Sequence, residues 1–511
     1  MEENSKLNYN EIIKKRKEAV VNWFKKDKLN IALIGILLFA LVIRLYYFFT
    51  IGNQPLWWDE LCYGSLAKNF VSHMWDGDPL IIGESLIRPL FFPILWAILL
   101  KLGFQERGAR FLLELVPSIF SVFFIYLSGK ELFGKRVGLI SAAIFSVFWL
   151  HLFYSVRLLT NVPALVFLFA SFYFFVKSTK KEFNYKEFSI SLILLSISTL
   201  IRYPNGILFF VYLIVLIIGK KLFLKKKNFW IAGIIGISPI LLFFLFNFFT
   251  YGNIFPALLG GNYLSPKQTV EGIAKPFAFN LLNFIPIYLQ TTFFIFFLIG
   301  LALMIFELII AYNFIPKKIK LQRYMLLILS LIFIYSFFIF YLKAAEDRWL
   351  FASCLPLILI VSYGLDFLYL QIKKYNKLVA IILLIGVIAF GAYGQFQQAN
   401  QLIDNKKTSY SQMKEGFLWV DENTPKDSVI VGKGIEPYTV YYSERQYHLL
   451  GSNENSSSLL NDSDYLIYHN FIGQPEWLTN YLQSNQITWK PVNGYFFDKE
   501  QKQLAMIIYE R

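Results

Sequence analysis

The sequence predicts an α-helical polytopic membrane protein of about eleven transmembrane helices, with a small α/β domain outside the lipid, and three observations carry that prediction. Of 511 residues, 56% are hydrophobic, 19% aromatic and only 16% charged, which is more apolar surface than a soluble core can hide. The apolar residues are gathered into runs that reach bilayer length, roughly 20 residues with about 17 as the practical minimum. Basic residues stand in short clusters between those runs, and after residue 400 the composition becomes that of a soluble α/β domain.

The first element is a polar, Lys-rich tail over residues 1–28. The run at 29–51 that follows is long enough to remain as an anchor, so no cleavable signal is expected. Further spans are expected at 111–131, 137–154, 162–178, 188–204, 205–221, 228–249, 286–312, 323–342, 350–371 and 378–396. The run "PLFFPILWAILLKLG" (89–103) has too short an apolar part to cross and carries prolines at its start. It is expected as a helix lying in the interface or dipping into it.

Charge tests this choice. With eleven spans the clusters "KKRK", "GKELFGKR", "KSTKKEFNYK", "GKKLFLKKK", "PKKIKLQR" and "IKKYNK" all fall on one side, and counting 89–103 as a crossing scrambles that order. The rule makes that side cytoplasmic, which places the chain in the cell membrane with its N-terminus inside and its C-terminal domain outside. Three regions follow: the cytoplasmic tail 1–28, a membrane part 29–397 with a long outer loop at 52–110, and an extracytoplasmic domain at 398–511. The net charge of +15 then reads as topology, and no nucleic-acid partner is expected. Two cysteines, Cys62 and Cys354, make neither a disulfide framework nor a metal set.

In the last region helices are expected at 408–423 and around 475–485, with strands at "SVIVG", "DYLIYH" and "LAMIIYE". The glycines of "VGKGIEP" lack the spacing of a dinucleotide or phosphate loop, so no cofactor is assigned there. The plain expectation for this domain is a cap on the outer face of the membrane part.

Chemistry is sought in the outer loops, beginning with "PLWWDELCYGSLAKNF" (55–70). From residue 59 apolar positions recur at 62, 63, 66, 67, 70, 71 and 74, the stripe of an amphipathic helix with Glu60 and Lys68 off it and Trp57 and Trp58 as interfacial anchors. Asp59 suits an N-cap of that helix, with Glu60 complementing its dipole. A carboxylate at a membrane boundary beside an apolar wall is also suited to take a proton from a hydroxyl. Arg88, Arg107, Arg110, Arg157, Arg202, Lys343 and Arg348 lie in or beside outer loops, against the positive-inside trend, and guanidinium groups match phosphate geometry. An anionic ligand is therefore expected, although each arginine taken singly also fits a headgroup contact or salt bridge.

The order of these features resembles the GT-C superfamily of membrane glycosyltransferases. The chain shows an acidic "DE" pair after the first span, then "RPLFFPIL", "GFQERGAR", "LFGKRVGLISAAIF", "RLLTNVPALVF", an "RY" and "EDRWLFASCLPLIL". The branch it looks most like holds the dolichyl-phosphate-mannose protein mannosyltransferases and the bacterial aminoarabinose transferases of lipid A. That resemblance implies Asp59 as the catalytic acid of the first loop with Glu60 beside it, and Arg348 near the donor phosphate; Arg88, Arg202 and Lys343, as outward cations, are further candidates for that phosphate. It implies a polyprenyl-phosphate sugar donor within the membrane lipids and a lipid, glycan or protein acceptor, with inversion at the sugar. In the second outer loop, with Arg157, the chain has Asn161 where relatives usually carry aspartate. An amide can neither act as a base nor bring negative charge to a metal, so no metal ligands are assigned, and divalent metal dependence is left open. Two other classes stay open at this point: a transporter or flippase of a lipid-linked glycan, and an inactive GT-C-like surface assembly protein.

Overall fold

Runs of Leu, Ile and Phe bring no partners for their own backbone amides into lipid, so those amides must bond within the run. In the computed structural model the runs are helices. The structure describes residues 28–73, 88–180, 182–219, 225–252, 254, 277–314, 318–341, 347–451, 453–484, 488–498 and 500–511. Among the described residues eight helices are long and apolar enough to cross a membrane: Leu29–Ile51, Glu106–Phe133, Asn161–Ser178, Lys227–Phe249, Leu282–Ile310, Leu321–Phe338, Asp347–Lys373 and Lys377–Asn423. Each overlaps an expected span. The other three expected spans are not among these eight, although 188–204 keeps the 17-residue length expected of it and residues 220–224, at and beyond the end of 205–221, lie outside the described residues. The 137–154 run is split into Lys135–Ser146 and Trp149–Tyr154, 188–204 is the 17-residue helix Tyr185–Ile201, and 205–221 is the 13-residue helix Ile207–Gly219.

The split after Ser146 has a definite cause. Arg44, fully buried on the first span, donates from Nη1 to the carbonyl oxygens of Ala40 (3.1 Å) and Ser146 (3.0 Å), and its Nη2 lies 2.8 Å from His151 Nδ1. The guanidinium thus satisfies a helix-end carbonyl that would otherwise be orphaned in lipid. Arg44 is thus a buried cap for a broken helix.

The chain divides into two compact units. The first holds residues 1–50, 111–156 and 160–401 and is entirely helical among its described residues. Its helices turn sharply at Gly134, whose left-handed φ of 101° joins Val116–Phe133 to Lys135–Ser146. Phe277–Phe314 packs against Cys354–Lys373 at Gly300 and Gly364; a Cβ on Gly300 would lie 2.2 Å from the Ile360 carbonyl oxygen, so only glycine permits this approach.

The second unit holds residues 51–110, 157–159 and 402–511. Its sheet has the order β2-β1-β3-β5-β4, with β1 Val429–Gly432, β2 Gln446–Leu449, β3 Tyr465–His469, β4 Lys490–Phe496 and β5 Leu504–Glu510. The pairs β1–β2 and β1–β3 are parallel, and β3–β5 and β4–β5 are antiparallel. Val431, Leu450, Leu460, Leu466, Leu478 and Trp489 form a core on one side. Helices Ser411–Asn423 and Glu476–Ser484 stand close to their expected positions. The edge strand β4 carries Pro491 and two register shifts, which blunt it against pairing with another chain.

One buried group in this sheet gives the unit a pH dependence. His469 Nε2 lies 2.8 Å from the Lys433 carbonyl oxygen, so the ring proton sits on Nε2, and Nδ1 is buried with no hydrogen-bond partner among the described residues. Burial pushes the imidazole down to about 4, with the Lys433 carbonyl bond opposing it. An unfolded histidine titrates near 6.5. The unfolded chain therefore binds more protons between those values, and stability present above pH 6.5 is lost as the pH falls toward 4. The expected loss is about 3 kcal/mol. Thermal unfolding at pH 7 and pH 4.5 checks it, since His469→Gln should narrow the difference between the two.

Candidate active site

The segment before the first outer helix cannot bury itself without help, because its backbone donors and its acids both need partners. The helix runs Trp58–His73, and Glu60, not Asp59, closes its start: Oε2 of Glu60 accepts the Trp57 N–H at 2.6 Å, the reach-back half of a capping box. Glu60 is also fully buried, and its carboxylate accepts from the guanidinium of Arg157 and from the Leu158 N–H at 2.6 Å. Arg157, fully buried as well, lays its guanidinium 3.7 Å over the Trp57 ring. The expected one-sided amphipathic stripe is thereby corrected. Glu60 lies inside and Val71 is exposed, because the helix packs against Phe91–Lys101 and against the 436–443 segment of the same unit instead of lying on lipid alone.

Asp59 points differently. It is partly exposed, at 23% of its side chain, and its Oδ1 lies 2.7 Å from Arg88 Nη1, which is 21% exposed. The Arg88 guanidinium also stands 5.4 Å from the Tyr63 ring centroid. Burial works to lower the Arg88 guanidinium, but the charge and hydrogen bond of Asp59 together with Cys62 and Tyr63 hold that group above its usual value. Nearby, Arg110 is 2% exposed and donates to Glu106 Oε1 at 2.9 Å and to the Gln54 carbonyl oxygen at 3.2 Å. Residues 54–60 are therefore strapped from behind by two arginines, with one carboxylate left toward solvent. Glu106 and Trp57 were not singled out for the site; the i,i+4 Glu–Arg spacing in "ERGAR" was the signal for the first.

In the helical unit a second set converges. Asn161 begins the helix Asn161–Ser178, and its Nδ2 donates to the Arg348 carbonyl oxygen at 3.1 Å; Arg202 Nη2 donates to the same oxygen at 2.9 Å. Tyr154 donates to Asp347 Oδ1 at 2.7 Å, and the Tyr288 hydroxyl donates to the Asp347 carbonyl. The 3₁₀ turn Asp347–Ser353 is thus held by four side chains from elsewhere in the unit. This explains Asn161: an aspartate there would set a carboxylate against a carbonyl oxygen, whereas the amide donates to it. Lys343 lies outside the described residues.

The structure brings Asp59 to Arg88, Glu60 to Arg157, and Asn161 and Arg202 to the Arg348 backbone. Among the described residues no three or more His, Cys, Asp or Glu side chains come together as a metal site. The groups present do not suit one either: Asp59 faces a guanidinium and the Asn161 amide nitrogen is directed at a carbonyl.

Residues 87–244 match the family model described as dolichyl-phosphate-mannose-protein mannosyltransferase. No curated protein sequence matches significantly. Among solved structures, the oligosaccharyltransferase of Archaeoglobus fulgidus in its apo form is similar at 13% identity, over 88% of this chain and 70% of that one, with a TM-score of 0.66. ArnT from Cupriavidus metallidurans in its apo state is similar at 11% identity, over 92% of this chain and 97% of that one, with a TM-score of 0.62. The same protein bound to undecaprenyl phosphate matches at 11% identity over the same shares, with a TM-score of 0.59. The chain thus shares the fold of these solved structures, and its eight apolar helices of spanning length make it a multi-pass membrane protein.

Proposed function

We propose that the protein is an integral membrane glycosyltransferase that moves a monosaccharide from a polyprenyl-phosphate carrier to an acceptor hydroxyl on the outer face of the membrane. The observation that carries this reading is the pair Asp59–Arg88, a part-exposed carboxylate held 2.7 Å from a guanidinium. Support also comes from the family match over 87–244 and from ArnT, which has been solved with undecaprenyl phosphate. Positive clusters between the spans support a cytoplasmic N-terminus with the acid loop and the 398–511 region outside.

In this reading Asp59 takes the proton of the acceptor hydroxyl as that oxygen bonds to the anomeric carbon. The bond from that carbon to the phosphate oxygen breaks on the opposite side, its electron pair stays with the phosphate, and the configuration inverts. Arg88 neutralises the departing phosphate in this reading; the family resemblance gives Arg348 the same task, with Arg202 and Lys343 as further candidates for it. Glu60 and Arg157 position the acid and do not touch the sugar. Asn161 holds the turn that carries Arg348. General-base help is worth about 100-fold or more, and electrostatic stabilisation of the leaving group about 3 kcal/mol.

The test is transfer of radiolabel from a polyprenyl-phosphate monosaccharide by the purified protein in detergent. Arg88→Gln is expected to raise the donor KM and to lower kcat about 100-fold, since about 3 kcal/mol of leaving-group stabilisation is removed. An Arg88→Gln protein with unchanged kinetics would take the phosphate role away from this residue.

A further inference from the structure

We propose that Lys68 and Tyr441 are positioning residues for Asp59, and that the C-terminal domain is the platform that aims the acid-bearing helix. This deepens the transferase reading and rests on it. The domain does not merely sit beside the helix Trp58–His73; it holds that helix and its lead-in at three places within one unit.

Ahead of the helix, Gln54 Nε2 donates to the Lys406 carbonyl oxygen at 3.1 Å, and the Tyr442 hydroxyl lies 3.5 Å from the Leu56 N–H. In the middle, the Tyr441 ring lies against the backbone at Gly64. A Cβ built there would be 2.5 Å from Tyr441 Cε2 and 3.0 Å from Trp96 Cη2, so any side chain at 64 would push both rings away. Near the far end, Lys68 Nζ donates to the Tyr441 carbonyl oxygen at 2.7 Å, pairs with Glu444 Oε1 at 3.1 Å, and stands 4.5 Å from the Tyr441 ring centroid. The residues that receive it come from the π-helical turn Thr439–Ser443 and from Glu444, whose φ is 52°.

These contacts are placed to aim the helix more than to stabilise it. The Lys68–Glu444 pair is 39% and 66% exposed, and ion pairs of that kind contribute little to stability. Lys68 lies nine residues beyond Asp59, about 13 Å along the helix, so it cannot reach the reacting atoms itself. A helix held at its lead-in, at Gly64 and at Lys68 cannot roll or slide, and the direction of the Asp59 carboxylate is set by that restraint. Displacing a catalytic group by about 1 Å costs on the order of 100-fold.

The test uses the full-length protein in detergent, with Lys68→Met, Lys68→Arg and Gly64→Leu. Lys68→Met is expected to lower kcat about 10- to 100-fold, with donor KM unchanged within about twofold and an unaltered melting temperature. Lys68→Arg, which keeps the donor and the charge, should recover most of the rate. Hydrogen exchange over 58–73 should quicken in Lys68→Met, and this readout needs no substrate. A wild-type protein that transfers no sugar would sink the transferase reading, while quicker exchange in Lys68→Met would still support the platform. Unchanged exchange together with unchanged kcat in Lys68→Met would overturn it, whether or not Gly64→Leu folds.

Discussion

Asp59→Asn is expected to leave the protein folded and inserted while reducing transfer by at least about 100-fold. The substitution keeps size and shape and removes the one property proposed for catalysis, a lone pair basic enough to take a hydroxyl proton. Structural damage should be slight, because the Trp57 N–H at the helix start is received by Glu60. Arg88 loses its counter-charge at 2.7 Å, so donor binding should hold or tighten as the phosphate meets an unpaired guanidinium. The measurement is single-turnover transfer set beside a melting curve. Asp59→Asn within a few-fold of wild type would leave Asp59 with no catalytic part.

Breaking the buried pair behind it should have the larger effect on folding. Arg157→Met strands the Glu60 carboxylate, fully buried, with two backbone N–H donors and no cation. Loss of one partner from such a pair costs about 3–5 kcal/mol, and the stacking of the guanidinium on Trp57 goes as well. The expected result is a sharply lowered melting temperature in detergent. Glu60→Gln combined with Arg157→Met should be less damaging than Arg157→Met alone, because no charge is then left unpaired. If the single variant melts like wild type, the strap through 157–158 is not what holds the acid loop.

Much of the architecture was legible because lipid enforces a simple rule. Eight runs of apolar residues are helices of spanning length, and "LFGKRVG" turns at a glycine with positive φ. Asp59 was legible as an acid placed just beyond a span. Its neighbour was misread: Glu60 falls off the apolar stripe, and its partner Arg157 lies 97 residues away, a pairing that no local periodicity reveals. The break after Ser146 was hidden for the same reason, since it depends on Arg44, 102 residues earlier. The strand β4 was missed because Pro491 and Gly494 argue against a strand unless it lies at an edge. Asn161 read as a departure from pattern and became intelligible only with the Arg348 carbonyl in view.

The placement of β5 between β3 and β4 has a consequence for biosynthesis. The last of the three interior strands of the sheet spans Leu504–Glu510, whereas the helix that leans on this domain begins at Trp58. A ribosome adding about 5–20 residues per second takes roughly 20–90 s to travel between them. Throughout that interval the helix Trp58–His73 has no folded domain to lean on, so this unit is joined in space from segments far apart along the chain and gains its geometry only when the later one has been made.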